Sequence, residues 1–148
     1  MPQPAKYVTL LPTATRTTSG TGDEVVNIES FTACRVRLRV STMTGTSPTL
    51  NFYVQRGIRT TVGAAVGDSV ERGTIEWDDF ISFTQVTTNS TRYAHVVGGG
   101  NAENALSAKA LTAGSVRNGP IGSVLRVAWT VGGTNPSLSF DSILELIP

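Results

Sequence analysis

The sequence predicts an all-β protein, an antiparallel β-sandwich of jelly-roll-like build with an extended N-terminal arm and two long loops. Three observations carry that expectation. Val36, Leu38 and Val40 alternate with Arg35, Arg37 and Arg39, and Leu125, Val127, Trp129 and Val131 alternate with Arg126, Ala128 and Thr130; a period of two is the signature of a strand with one buried face. The composition is rich in Thr, Ser and Gly, with 15 glycines and lysine only at Lys6 and Lys109, which favours short strands and turns over helices. Finally, Gly-Thr-Ser-Pro-Thr-Leu-Asn-Phe at 45–52 returns as Gly-Thr-Asn-Pro-Ser-Leu-Ser-Phe at 133–140, with the remaining differences confined to small polar exchanges. Each copy follows an alternating strand and leads into another, so each reads as the turn of a hairpin, and the pair as one hairpin used twice.

A chain of 148 residues is long enough for one hydrophobic core and too short for two. Residues 1–22 hold Pro2, Pro4 and Pro12 and then the run Thr17-Thr18-Ser19-Gly20-Thr21-Gly22, the marks of an extended arm that precedes a single β-sandwich domain over 23–148. Tyr7, Val8, Leu10 and Leu11 in that arm need a surface to lie on. A short strand is expected from Glu24 to Ile28, then the first repeat unit, with Leu50, Phe52 and Val54 inward and Asn51, Tyr53 and Gln55 outward. Thr74 to Trp77, Phe80 to Val86 and Arg92 to Val97 supply the middle strands. The second unit closes the chain near Ile147. Two loops interrupt this order, 57–69 and 98–123, and Ala102 to Leu111 in the second has the composition of two helical turns capped by Asn101. Loops of that length in a compact domain usually carry function.

The same residues argue against most chemistries. The only histidine is His95, in strand alternation with Tyr93 and Val97, and neither a nucleophile elbow nor a phosphate loop occurs, so no catalytic residues are expected. Gly98-Gly99-Gly100 lacks a following lysine and reads as a hinge. Glu76, Asp78 and Asp79 around Trp77 match no calcium loop and are expected to form a solvated turn. With a single cysteine, Cys34, there is neither a disulfide nor a Cys/His metal centre, and no metal or other cofactor is expected. A net charge of +1 with 16% charged residues supplies no field to attract nucleic acid or a membrane, and no apolar run is long enough to be a leader or a span. What remains is protein binding: by Arg35, Arg37 and Arg39, a positive stripe along one strand face, and by Tyr7, Val8, Leu10 and Leu11 of the arm. Trp77, Trp129 and Tyr53 could stack on sugars in a carbohydrate-binding or receptor-binding module, although Trp129 shares the inward face of Leu125 and Val127.

The two Gly-Thr-x-Pro units, together with Phe83-Thr84-Gln85-Val86 and the run from Leu125 to Pro136, resemble a family of small virion proteins of tailed phages. The resemblance covers about half of the chain. It departs at Gly122-Ser123-Val124, where the family carries Arg-Tyr, and it gives no counterpart for the two long loops. What it implies is a non-enzymatic structural protein, a head decoration (cement) protein on the capsid surface, assembled in the host cytoplasm. The implied partners are the major capsid protein and further copies of the chain, with a trimer favoured. A tail or neck component of the virion is the alternative.

Overall fold

The computed structural model describes residues 3–59, 75–97, 111–117 and 120–148. Eight strands are formed: β1 (Lys6–Arg16), β2 (Gly20–Thr21), β3 (Val25–Val26), β4 (Ala33–Arg59), β5 (Ile75–Ser82), β6 (Ser90–Val97), β7 (Ser115–Val116) and β8 (Val124–Ile147). All are antiparallel, and no described residue is helical. The expected all-β antiparallel class is what the structure shows. The separate sheets of a sandwich are not: hydrogen bonds join every strand into one sheet.

The two long strands explain how one sheet encloses a core. β4 and β8 pair along nearly their whole lengths, from Ala33↔Ile147 to Arg56↔Leu125. At a rise of about 3.3 Å per residue, an unbent β8 would hold Trp129 and Phe140 roughly 35 Å apart. Their ring centroids are 5.9 Å apart, and Phe52 of β4 lies 6.2 Å from Phe140. The paired ribbon is therefore folded over on itself. One half of the sheet runs β6, the start of β4, the end of β8 and β1; the other runs β2 and β3, the start of β8, the end of β4, β5 and β7. Phe52, Phe80, Phe140, Leu38, Leu50 and Leu138 fill the space between the halves with essentially no exposure.

The fold-over occurs at the repeated octapeptides, and here the structure corrects the sequence reading. They are not hairpin turns, because the strands before and after each one do not pair with each other. Val36–Val40 pair with Ala94–Ser90 and Leu144–Phe140, whereas Leu50–Val54 pair with Val131–Val127. Each octapeptide is instead a corner at which a strand passes from one half of the sheet to the other, as strands do through bulges. The two corners face each other across a local two-fold axis. Gly45 and Gly133 have φ of 113° and 105°, and Ser47 and Asn135 both have φ of 50°. A Cβ on Gly45 would lie 2.7 Å from Asn135 O and 2.9 Å from Thr134 O; one on Gly133 would lie 2.7 Å from Ser47 O and 2.9 Å from Thr46 O. Glycine is needed at both places for its left-handed backbone and for the closeness of the opposite chain. The symmetry exchanges the two halves of the sheet, making Leu50 equivalent to Leu138 and Phe52 to Phe140, all four buried. It decays outward, beginning at the register shift between Val40 and Thr42.

The surface that the extended N-terminal segment needs is supplied by the chain itself. Residues 6–16 form the edge strand β1, paired with β8 from Lys6↔Leu146 to Arg16↔Leu138. Register shifts between Thr9 and Leu11 and between Leu11 and Ala14 break the alternation, and Leu10 and Leu11 are both buried in the core. Past β1 the chain crosses to the other half of the sheet. Trp129 donates its indole N–H to Thr18 O at 2.9 Å, and the Arg16 guanidinium lies over the rings of Phe140 and Trp129 while donating to the carbonyls of Pro12, Ala14 and Phe140. The open edge between the halves is closed in this way.

The middle region also differs in detail. Ile75–Ser82 is one strand, so the expected strand from Phe80 to Val86 does not stand alone; beyond Ser82 only Val86 bridges, to Leu50. Of the loop expected at 57–69, Gly57–Arg59 continue β4, and the rest lies outside the described residues. So do the expected hinge at 98–100 and all of the expected helical turns except Leu111.

Candidate functional site

Strand alternation and register decide what the outer face of the first half-sheet presents. Arg35 lies between Glu145 and His95, Arg37 between Ile143 and Tyr93, and Arg39 between Asp141 and Thr91. β1 adds Tyr7 beside Glu145 and Thr9 beside Ile143. Of the residues expected to bind a partner, Tyr7, Arg35, Arg37 and Arg39 are thus brought onto one face. Val8, Leu10 and Leu11 are not. Leu10 and Leu11 are core, and Val8 packs against it.

The arginines do not form a bare positive stripe. Arg35 meets Glu145 through Nε and NH2 at 2.8 and 2.7 Å. Arg37 donates to Asp141 Oδ1 at 2.9 Å, and Arg39 holds Oδ2 through Nε at 2.9 Å and NH2 at 2.7 Å. Thr13 adds a hydrogen bond to the same Oδ2 at 3.1 Å. Three guanidinium groups share two carboxylates, leaving a small positive excess. Burial of Asp141 works against its charged form, but hydrogen bonds from Arg39, Thr13 and Arg37 outweigh that and hold its carboxyl below the ordinary carboxylate value. At the other end of the face, Tyr7 donates to Glu145 Oε1 at 2.9 Å. That bond, followed by the nearby negative charge, pushes the phenol upward, so it stays a donor.

Two rings stand above this network. Tyr7 and Tyr93 are 69% and 65% exposed. With Arg35, Arg37, Ile143 and Glu145 they line a shallow groove of about 270 Å³. Arg37 Nε is buried there without a hydrogen-bond partner among the described residues. The site is therefore an apolar-aromatic groove on a floor of fixed charges, held by four paired strands. Tyr93, Ile143, Asp141 and Glu145 escaped the sequence reading. The signal for three of them was present, since 141, 143 and 145 alternate with the inward Leu144 and Leu146 as 35, 37 and 39 do with Val36 and Leu38.

The other candidates resolve differently. His95 is exposed on a strand face. Asp78 and Asp79 belong to strand β5 and do not form the expected solvated turn. Asp78 pairs with Arg56 at 3.2 Å and Arg117 at 3.5 Å. Asp79, buried, accepts from Gln55 Nε2 and the Leu111 amide. Among the described residues no group of His, Cys, Asp and Glu is placed to hold a metal ion. Trp77 has the Arg126 guanidinium over its ring at 4.2 Å, and the partly buried Trp129 packs against the core, so each ring has a face already occupied. No protein family, no curated protein and no solved structure matches the chain.

Proposed function

We propose that this is a non-enzymatic structural protein of a virion, a decoration protein that binds the major capsid protein on the outside of a phage head and acts as a homo-oligomer. The observation that carries the reading is the face just described. Two exposed tyrosines flank a floor of Ile143 and charged groups that are already paired, so a partner meets aromatic anchors beside polar groups that need no rearrangement on docking. The resemblance of the two corner octapeptides to small phage virion proteins points to the same setting. One such face binds weakly, and several copies held together on a lattice of identical capsid subunits bind tightly.

Tyr7→Ala combined with Tyr93→Ala is the test. Both side chains are exposed, so the melting temperature is expected to stay within a few degrees of wild type, while co-sedimentation with phage heads stripped of the protein weakens by about a hundredfold, two anchors at roughly 1–2 kcal/mol each. A variant that saturates stripped heads like wild type overturns the reading, as does wild-type protein that does not bind heads.

A further inference from the structure

Among the described residues the folded-over sheet has four edges, and three of them are blunted. β1 carries Pro12 and two register shifts, and Arg16 occupies the carbonyls of Pro12 and Ala14. On one side of the second half-sheet β7 is two residues long and covers only Ile81 and Ser82 of β5, whose remainder carries Glu76, Asp78 and Asp79; on the other side β2 and β3 are two residues long. Bulges, proline, charge and short length are the devices by which proteins stop sheet edges from pairing with other chains. β6 is eight residues long with neither bulge nor proline, and no described strand pairs with its outer side. It pairs with β4 in unbroken register from Ala33↔Val97 to Val40↔Ser90. It contains no proline, glycine or carboxylate. Its one fully charged side chain, Arg92, is tied to Thr84 O and Ser90 Oγ, and Tyr93 and Val97 stand exposed at 65% and 72%.

Beside this edge lies a groove of about 360 Å³ lined by 92–94 of β6, by 81–84, and by Gly114, Ser115 and Val116 at β7. Ser82 Oγ, buried, has no hydrogen-bond partner among the described residues. An edge with room beside it accepts not only main-chain hydrogen bonds from an added strand but also that strand's side chains.

We infer that β6 is a dimerisation edge, pairing antiparallel with β6 of a second copy of this chain about a two-fold axis at Ala94, so that the first half-sheets of two copies become one continuous sheet. The second copy is the occupant that the strand's own pattern fits. Antiparallel partners must share a face, so the axis falls on a residue and not between two. Centred on Ala94, Tyr93 lies opposite the partner's His95 and Thr91 opposite the partner's Val97 on the outer face. On the core side Arg92 lies opposite the partner's Val96, with the two small Ala94 side chains meeting at the axis. No like charges are opposed, and the exposed valine is covered. The dimer also joins two tyrosine-lined faces side by side, doubling the contacts available to a repeating partner. A dimer of this kind differs from the trimer favoured in the sequence reading.

The test is the oligomeric state of the full chain by sedimentation equilibrium. Wild type is expected to be a dimer at micromolar concentration. Thr91→Lys with Val97→Lys sets two pairs of like charges against each other and is expected to weaken dimerisation at least tenfold and to abolish the rise of melting temperature with protein concentration, with an unchanged circular dichroism spectrum because both positions are exposed. Thr91→Lys with Val97→Glu sets opposite charges across the same pairs and is expected to restore the dimer. A monomeric or trimeric wild type overturns the inference, and so does a Lys/Lys variant that dimerises like wild type or a Lys/Glu variant no better than Lys/Lys. Loss of the dimer with head binding intact separates this edge from the tyrosine face. Tyr93→Cys mixed with His95→Cys gives an independent readout: the mixture is expected to cross-link between copies under oxidation, and its failure to do so while the dimer persists rules out the register. The native thiol does not interfere, since Cys34 is buried and its pKa is pushed up to about 12.

Discussion

Asp141→Asn probes the electrostatic knot of the outer face without changing its shape. The Asp141 side chain is 6% exposed and accepts hydrogen bonds from Arg37, Arg39 and Thr13. The amide keeps one oxygen as an acceptor and turns two N–H groups toward a guanidinium. Removing one member of a fully buried ion pair costs about 3–5 kcal/mol. Here the Arg37 and Arg39 side chains are 29% and 47% exposed, so water compensates part of the loss, and a destabilisation of about 2 kcal/mol is expected at pH 7. The pH dependence is the sharper part. The folded carboxyl titrates below its unfolded value, so its contribution is complete above the unfolded pKa of about 4 and is lost as the pH falls through the folded value. Urea unfolding of both proteins should therefore show a gap that is constant from pH 7 down to about 5 and narrows below that as the pH is taken toward about 2.5. An equal gap at both ends of that range would refute the electrostatic account, and a gap below about 0.5 kcal/mol at pH 7 would show that the knot contributes no more than an ordinary surface pair.

Two further outcomes follow from the fold. Gly45→Ala and Gly133→Ala each place a Cβ within 3 Å of two carbonyl oxygens at positive φ; each should cost about 2–4 kcal/mol by thermal melting, the two values agreeing within about 1 kcal/mol because the corners are symmetric. Gly122→Ala, at positive φ with open space around it, should cost only about 1 kcal/mol, and equal costs at all three positions would remove close approach as the reason for the corner glycines. Deleting residues 2–20 removes β1 with its two buried leucines, each worth about 2–5 kcal/mol, so the truncated chain should lose its cooperative melting transition; retention of the wild-type melt would return this segment to the status of a dispensable arm.

Much of the fold was legible because strand alternation is a local signal. Val36, Leu38 and Val40 announce their buried face within six residues, and the register places them where the alternation says. What the sequence hid is non-local. A Gly-Thr-x-Pro segment between two alternating strands has the same local chemistry whether the strands pair with each other or with strands a whole domain away. Only the second copy of the segment, folded against the first, decides that these are corners. The arm was hidden for a related reason. Consecutive Leu10 and Leu11 break the period of two, and the register shift that turns both inward is visible only with β8 beside them. On the outer face the arginines were legible and their partners were not, because Asp141 and Glu145 lie a hundred residues downstream and meet them only through the pairing of β4 with β8.

That pairing links the fold to the proposed function. The β4–β8 ribbon builds both halves of the sheet, so the core between Phe52 and Phe140 and the outer row of Arg35, Arg37 and Arg39 are set by the same register. A slip of one residue would turn the arginines into the core and Val36 and Leu38 into the solvent. The groove between Tyr7 and Tyr93 spans four strands, yet β1 and β6 carry its rings at the two rims while β4 and β8 carry its fixed floor. Partner recognition can therefore change at the rims without disturbing the ribbon, whereas a change in the ribbon alters the core and the face together. Substitutions at Tyr7 and Tyr93 are expected to separate binding from stability, and those at Asp141 to affect both.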